Sequence, residues 1–273
     1  MKEQPRLAAI QMNTGRDIEE NIQTAAKLIQ DAAKQGANLV LLPEVFACYD
    51  SKKYQAIGQK ELSPDGYLRS TMSAWAKDNN LTLVGGSIAV LDPGTGKVFP
   101  RCYVYGPDGA ELGFYDKIHL FDVDVADGHG SYRESDMFLS GDKPVVIDTP
   151  VGKLGLSICY DVRFPYLYDR LRKLGAEILL VPAAFTKTTG EAHWHSLLRS
   201  RAIETQCYMV AANQWGQHSE TRTTFGHSMV ISPWGEILDE IEEGDGIAIA
   251  AMDKEEMQQI RLRMPLLSHQ KII

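Results

Sequence analysis

Three polar side chains follow apolar runs of strand length, and together they could carry out nucleophilic attack on a carbonyl. Glu44 follows "NLVLLP", Cys159 follows "KLGLSI", and Lys117 lies in "GFYDKIHLF" just past a strand-like stretch. A thiol attacks when a base takes its proton, and a carboxylate in apolar surroundings can serve as that base and then as an acid. An ammonium, helped by the main-chain N–H of Tyr160, would stabilise the oxyanion that forms in the transition state.

Each of these residues also has an ordinary structural role that the sequence leaves open. A free cysteine is usually a small buried apolar side chain. Glu44 could be a surface carboxylate at a strand end, and Lys117 could pair with the neighbouring Asp116. A different catalytic scheme would give the cysteine a histidine base, His119 or His227, although neither has an orienting Asn or Asp in a recognisable local pattern.

Composition excludes several classes of function. The chain has 273 residues and a net charge of −8, which disfavours a nucleic-acid partner. It contains no apolar run long enough to span a membrane and no signal-peptide pattern at its start, so we expect a cytoplasmic protein without a membrane partner. None of the four cysteines forms a C-x-x-C pair, and His193 and His195 should point apart on a helix. We therefore expect no metal.

The elements that must position these groups alternate between helices and apolar strands. A helix is predicted to start at its N-cap Asp17, with Glu20 in a capping-box position, and to stop at Gly36. The phrase "KQGANLVLLPE" is echoed later by "KLGAEILLVPA", each a helix end, a glycine and an unbroken apolar strand. Such strands are covered on both faces. We therefore predict a single layered α/β domain, residues 1–273, built from two similar halves.

Further strands complete this prediction. We place them at residues 6–12, 81–87, 101–105, 145–148, 154–158, 178–181, 208–213, 227–232 and 247–252. In α/β sheets, ligands bind beyond the carboxyl ends of the strands. The side chains that follow these strands could therefore converge in one crevice, although they lie far apart in the chain.

Three segments, "LVLLPEVF", "YDKIHLFD" and "GLSICYDVRFP", resemble the signature segments of the nitrilase superfamily of carbon–nitrogen hydrolases. The resemblance runs from "LAAIQMN" to "GHSMVISPWGEIL". It implies that Glu44 is the general base, Lys117 the oxyanion stabiliser and Cys159 the nucleophile, with Glu134 positioning Lys117 or the substrate. It also implies a four-layer αββα sandwich that dimerises, through the helix at residues 166–174, into an αββα–αββα assembly.

Within the superfamily, the chain is most similar to amidases of small α-keto acids. This branch implies an activity on deaminated glutathione, which would yield 2-oxoglutarate and cysteinylglycine through a Cys thioester without a cofactor. The alternatives are an ω-amidase acting on 2-oxoglutaramate or 2-oxosuccinamate, a nitrile or N-carbamoyl hydrolase, and a non-catalytic scaffold of the same fold.

Four residues are candidates for binding such a substrate. A guanidinium holds a carboxylate through two parallel hydrogen bonds, so Arg163 could bind the α-keto acid, although a salt bridge to Asp161 is an equal alternative. Phe185 and Thr189 resemble pocket positions of this branch, and Tyr160 follows the nucleophile. The alternative for Phe185 and Thr189 is an ordinary structural role, in the core and at a helix start. Thr188 would then be the N-cap of the helix, with Glu191 in the capping-box position.

Overall fold

A computed structural model describes residues 4–125 and 130–271 of the chain. Its first sheet has the strand order β17–β1–β2–β3–β5–β4, with β6 added on β5. These strands are β1 (Arg6–Gln11), β2 (Ala37–Leu41), β3 (Thr82–Val84), β4 (Ile88–Leu91), β5 (Val98–Tyr105), β6 (Glu111–Asp116) and β17 (Gly246–Ala251). The first three strands of the chain run parallel to one another, and β17 is antiparallel to β1.

The second sheet has the order β16–β15–β12–β11–β10–β9. Its strands are β9 (Val146–Asp148), β10 (Lys153–Leu156), β11 (Ile178–Ala183), β12 (Tyr208–Asn213), β15 (Ser228–Ile231) and β16 (Ile237–Ile241). Two short hairpins lie outside the sheets: β7 (Asp122–Asp124) with β8 (Ser131–Arg133), and β13 (Trp215–Gln217) with β14 (Thr223–Phe225).

The helices are α1 (Ile18–Lys34), α2 (Tyr54–Lys60), α3 (Tyr67–Asp78), α4 (Pro165–Lys173), α5 (Lys187–Thr205), α6 (Lys254–Arg263) and α7 (Leu266–His269). Short 3₁₀ turns occupy Ser51–Lys53, Glu134–Asp136 and Cys159–Arg163. Among the helices of the described residues, none is long and apolar enough to cross a membrane.

The two sheets pack face to face, and helices cover the outside of each. In β1 and β2, Leu7 and Leu39 join the buried cluster shared with the second sheet, whereas Ala8 and Val40 join the cluster that contains the buried face of α1. Both faces of each strand are therefore buried, which explains the unbroken apolar runs. The predicted four-layer αββα sandwich is confirmed.

The repeated phrase marks equivalent places in the two halves. "KQGANLVLLPE" joins α1 to β2, and "KLGAEILLVPA" joins α4 to β11. Each of these strands is the middle one of three parallel strands, β1–β2–β3 in one sheet and β10–β11–β12 in the other. The predicted start of α1 is also found, because the Asp17 carboxylate accepts from the N–H groups of Glu19 and Glu20. The second bond of a capping box, in which the Glu20 side chain accepts from the Asp17 N–H, is not formed.

The strand predicted at residues 81–87 is found at Thr82–Val84 but ends three residues early, because the chain turns at Gly86. β3 ends at Val84, and Gly86 adopts a left-handed φ of 56° before β4 begins. A Cβ at Gly86 would collide with the main-chain carbonyl of Pro43. This close approach packs the loop after β3 against the loop after β2, which carries Glu44.

Candidate active site

Four side chains predicted from the sequence meet at one end of the sandwich. The Lys117 ammonium, which is fully buried, donates to Glu44 Oε1 at 3.0 Å and to Glu134 Oε2 at 2.9 Å. Cys159 lines the same small cavity as Glu44 and Glu134. The predicted convergence of the base, the cation and the thiol is therefore what the structure contains.

Glu44 is held by loops that follow strands of both sheets. It lies just beyond β2 of the first sheet, and its Oε2 accepts from the Ala184 N–H, just beyond β11 of the second, at 2.9 Å. Its carbonyl accepts from Gln214 Nε2, beyond β12, at 2.9 Å. The next residue, Val45, has a φ of 53°, which is unusual for a β-branched side chain and places strain beside the site. Glu44 is 6 % exposed, so it is not a surface carboxylate.

Lys117 follows β6 and carries its charge into the interior. Burial works against the charged ammonium, but Glu134 and Glu44 outweigh it and hold the pKa of Lys117 well above its ordinary value. Asp116 is engaged elsewhere, with both carboxylate oxygens on Arg101 at 2.7 and 2.8 Å. The alternative pairing of Lys117 with Asp116 is therefore wrong.

Cys159 begins the 3₁₀ turn that follows β10, with a left-handed φ of 49°. Its loop is fixed by Asp161, which is fully buried and accepts from the Ile158 N–H at 2.9 Å and the Tyr115 hydroxyl at 2.8 Å. The N–H of His119 donates to the same carboxylate. Asp161 thus joins the loop that carries Cys159 to the loop that carries Lys117.

This role of Asp161 was missed in the sequence, where the residue was weighed only as a partner of Arg163. The predicted salt bridge between Arg163 and Asp161 is not formed, so that alternative is wrong. The Arg163 guanidinium instead contacts His193 Nδ1 at 3.2 Å and lies 5.0 Å over the Phe185 ring. The only signal for Asp161 was its position two residues after the cysteine, which gives no indication of its partners.

The surroundings of Cys159 favour its protonated thiol over the thiolate. Burial raises the pKa of Cys159 well above its ordinary value, and the Glu44 carboxylate raises it further, while Lys117 opposes them. The histidine alternatives do not meet the thiol. His119 binds Asp161 through Nδ1 at 2.6 Å, His227 binds Glu240 at 2.6 Å, and neither lines the cavity of Cys159.

Three of the four predicted substrate-binding residues lie in the small cavity. Tyr160, Phe185 and Thr189 line it together with Cys159, whereas Arg163 lies behind Phe185 and Tyr160 and is half-buried. Phe185 is also packed on the buried Trp194, with ring centroids 4.8 Å apart. The ring therefore serves the core and the cavity at once.

The helix start predicted with residue 188 as its cap is wrong by two residues. α5 begins at Lys187, and its N-cap is Thr186, whose hydroxyl accepts from the Thr189 N–H at 3.3 Å. Thr188 is exposed. The segment "FTKTTGE" contains three threonines that could each be the N-cap. Which of them is the N-cap depends on where β11 ends, and the sequence does not indicate that point.

A second cavity, of about 400 Å³, opens beside the first. The two share Glu44, Glu134, Ala184 and Arg222 in their walls. The sequence analysis did not single out Arg222, which lies in the loop before β14. It also did not single out Tyr49, in "CYD", or Tyr132, in β8, which line the same cavity. No local pattern in these segments indicates that they share a cavity.

Comparison with known proteins agrees with this arrangement. The Carbon-nitrogen hydrolase family model matches residues 6–262 of the chain. The chain belongs to the carbon–nitrogen hydrolase family. It is accordingly a hydrolase that acts on carbon–nitrogen bonds, as the sequence resemblance predicted.

Relatives of this carbon–nitrogen hydrolase agree over nearly their whole length. A protein of Synechocystis sp. named deaminated glutathione amidase is 42 % identical over 97 % of this chain and 98 % of its own. A rat protein of the same name is 39 % identical over 98 % of this chain and 83 % of its own. The yeast Nit3 structure, described as a member of branch 10 of the nitrilase superfamily, has a TM-score of 0.89 at 32 % identity, covering 99 % of this chain and 97 % of its own. The C. elegans NitFhit structure has a TM-score of 0.90 at 36 % identity, with 98 % of this chain and 65 % of that one covered.

One group in the hydrolase could hold a metal ion, although it lies outside both cavities. His195, His227 and Glu240 each offer a ligand atom, and these atoms lie within 4.8 Å of one another. Both rings already bond to the same oxygen, Glu240 Oε1, at 2.7 and 2.6 Å, which satisfies the carboxylate without an ion. As predicted, His193 and His195 serve different places, since His193 contacts Arg163. That the hydrolase needs no metal stays a prediction.

His218, in the wall of the larger cavity, gives the hydrolase a pH-dependent term in its stability. Burial lowers the pKa of His218 from 6.5 to about 4. Its Nδ1 faces the Thr14 carbonyl at 3.0 Å and its Nε2 the Thr224 hydroxyl at 2.7 Å. The neutral ring therefore donates to Thr14 and accepts from Thr224.

Between pH 6.5 and 4 the unfolded chain binds a proton at this histidine that the folded protein does not, so acid favours unfolding. We expect this group alone to lower the free energy of unfolding by about 3 kcal/mol across that window. His218→Gln, which can keep both hydrogen bonds, should remove this part of the slope. Urea unfolding of both proteins at several pH values measures it, and identical slopes would contradict the assignment.

Proposed function

We propose that this carbon–nitrogen hydrolase cleaves deaminated glutathione to 2-oxoglutarate and cysteinylglycine. The observation that carries the chemistry is the buried Lys117 ammonium, which binds two carboxylates, Glu44 and Glu134, that line the cavity containing Cys159. The choice of substrate is supported by the names of the Synechocystis and rat relatives and by the 400 Å³ cavity beside the nucleophile, a volume within the range of small-ligand sites.

The proposed reaction is acyl transfer through a thioester. Glu44 takes the proton of Cys159 as the sulfur attacks the amide carbon, and Lys117 with the Tyr160 N–H holds the oxyanion. Glu44 then gives this proton to the leaving nitrogen, and the C–N bond breaks. Water enters and loses a proton to Glu44, the thioester is hydrolysed, and the proton returns to the sulfur. Glu134 is a positioning residue in this scheme, since it holds the ammonium from the side opposite the base.

Arg163 is assigned to the carboxylate of the α-keto acid. Its guanidinium lies over Phe185 and contacts no carboxylate within residues 4–125 and 130–271. Thr189 and Tyr160 supply the remaining polar groups of the small cavity.

The experiment is a comparison of kcat/KM for deaminated glutathione and 2-oxoglutaramate, with a nitrile and an N-carbamoyl compound measured alongside. The proposal predicts a preference for deaminated glutathione of at least about tenfold, since only its leaving group is large enough to make contacts in the second cavity. A preference for 2-oxoglutaramate would overturn it in favour of an ω-amidase. Turnover of the nitrile or carbamoyl compound alone would place the enzyme in a different branch.

We also propose a cytoplasmic homodimer. The four cysteines are all free, which fits a reducing compartment. Large apolar side chains are exposed on one side of the second sheet: Tyr166 on α4 by 84 %, Leu262 on α6 by 72 % and Trp234 by 57 %. Two of these segments are tied to α5, since Arg199 on α5 donates to the Gly235 carbonyl beside Trp234, and Arg261 on α6 donates to the Gln206 carbonyl just after α5. Tyr166 lies in the helix, residues 166–174, through which the family resemblance implies dimerisation.

Tyr166→Asp should convert the dimer to a monomer, because a buried carboxylate without a partner is strongly unfavourable. Light scattering after gel filtration would show the mass fall from about twice the 30.4 kDa chain to one chain. Leu112→Asp, at an exposed leucine on β6 of the other sheet, is the matched control and should stay dimeric. A wild-type protein that is monomeric at micromolar concentration would contradict the proposal.

A further inference from the structure

The strongest unassigned feature is a half-buried guanidinium that faces both cavities. Arg222 lies in the loop before β14 and lines the small cavity and the larger one. Its Nε donates to the Tyr49 hydroxyl at 2.8 Å, and its Nη2 donates to the Ala184 carbonyl at 3.2 Å. The guanidinium carbon lies 4.6 Å from the centre of the Tyr132 ring.

These contacts hold Arg222 in place without neutralising it. In the part of the chain that the structure describes, no carboxylate lies within ion-pair distance of its guanidinium, and Lys117 already occupies the nearby Glu44 and Glu134. Burial raises the pKa of Tyr49, so that hydroxyl stays neutral. Even a half-buried cation loses part of its hydration, and a cation held in a cavity wall without a counter-charge is suited to binding an anion.

The position of Arg222 indicates which anion it binds. Arg163 lies behind Phe185 and Tyr160, which line only the small cavity, whereas Arg222 stands where the small cavity opens into the large one. Arg163 is therefore associated with the walls of the small cavity alone, whereas Arg222 also borders the larger one. If Arg163 takes the anion of the acyl group, the anion beside Arg222 belongs to the leaving amine.

We propose that Arg222 binds the carboxylate of the leaving amine, so that the site selects amides that carry an anionic group on each side of the scissile bond. This inference rests on the proposed function and extends it to the leaving-group side. Deaminated glutathione has that form, with the α-keto acid at one end and the glycine carboxylate at the other. An amide whose leaving group is ammonia has nothing for Arg222 to bind.

The test is Arg222→Gln, measured with deaminated glutathione, with the same compound amidated at the glycine carboxylate, and with 2-oxoglutaramate. Loss of a charge-assisted bidentate contact should lower kcat/KM for deaminated glutathione by about 10- to 100-fold, mainly through KM. Turnover of 2-oxoglutaramate and of the amidated compound should change by less than about threefold, since neither reaches Arg222 with an anion. Arg163→Gln, by contrast, should slow all three substrates, and Arg222→Lys should recover part of the loss.

Equal losses on all three substrates would overturn the inference, because they would show that Arg222 acts only on the structure of the site. The wild-type enzyme provides a test that is independent of folding: it should discriminate against the amidated compound by the same factor that Arg222→Gln costs. Wild-type indifference to the amidation would also overturn it.

Failure of the proposed function would look different. In that case the wild-type enzyme would hydrolyse 2-oxoglutaramate but not deaminated glutathione. The inference would then be tested by inhibition with cysteinylglycine, which should be weaker for Arg222→Gln than for the wild-type enzyme. Identical inhibition of the two proteins, or none of either, would overturn it.

Discussion

Cys159→Ala is expected to lower kcat by about 10⁴-fold or more, to the background of the assay. The proposed thioester cannot form without the sulfur, and no neighbouring group in the small cavity is positioned to replace it. The fold should survive, because the turn is held by Asp161 through the Ile158 N–H and the Tyr115 hydroxyl rather than by the thiol. Steady-state kinetics and a thermal melt of the same preparation measure both parts.

Cys207→Ser is the matched control for this loss of a buried thiol. Cys207 is fully buried and donates to the Ala176 carbonyl at 3.1 Å, a bond that a serine hydroxyl can keep. It lines neither cavity. This variant should retain activity within about threefold of the wild type, since only packing changes. Substantial turnover by Cys159→Ala would remove the cysteine from the chemistry altogether.

Glu44→Gln is expected to lower kcat by about 10³-fold or more, because the same carboxylate serves as base in both half-reactions and as acid in the first. The buried thiol has a raised pKa, so the fraction of thiolate that forms without a base is small at neutral pH. In the wild-type protein the Lys117 ammonium and the Ala184 N–H both donate to the Glu44 carboxylate. The NH₂ group of the substituted glutamine would face one of these two donors, which is unfavourable. That misfit adds to the loss.

Glu61→Gln separates the catalytic loss from the cost of removing a buried carboxylate. Glu61 is 1 % exposed and accepts from the N–H groups of Leu68 and Arg69 at the start of α3, far from the cavity of the nucleophile. Its substitution should reduce stability by about 1 kcal/mol and leave kcat nearly unchanged. If Glu44→Gln loses no more activity than Glu61→Gln, another group is the base.

The sequence was informative wherever one local property decided the structure. Unbroken apolar runs predicted strands buried on both faces, and the repeated glycine phrase predicted two related halves. The loops after β2, β6 and β10 carry the reactive groups, because loops beyond the carboxyl ends of strands are where an α/β sheet binds its ligand. This reasoning, together with the family resemblance, located Glu44, Lys117, Cys159 and Glu134.

The sequence was uninformative where distant residues decide the outcome. The chain turns at Gly86 because the carbonyl of Pro43 approaches it from another loop. Asp161 takes its partners from the segment around Tyr115 and His119, and Arg222 takes Tyr49 and the Ala184 carbonyl from opposite halves. None of these contacts leaves a local pattern, since each pairs groups that lie far apart in the chain and meet only in the folded protein.

The account depends most on a covalent bond between the substrate acyl group and Cys159. The direct measurement is mass spectrometry of the enzyme quenched in acid during turnover of deaminated glutathione, repeated in hydroxylamine, which intercepts thioesters. The account predicts a mass gain of one 2-oxoglutaryl group on the peptide that contains Cys159. In hydroxylamine it predicts that this acyl group is released as a free hydroxamate. Cys159→Ala should show neither product. Complete turnover with Cys159 unmodified at every quench time and no hydroxamate formed would contradict it.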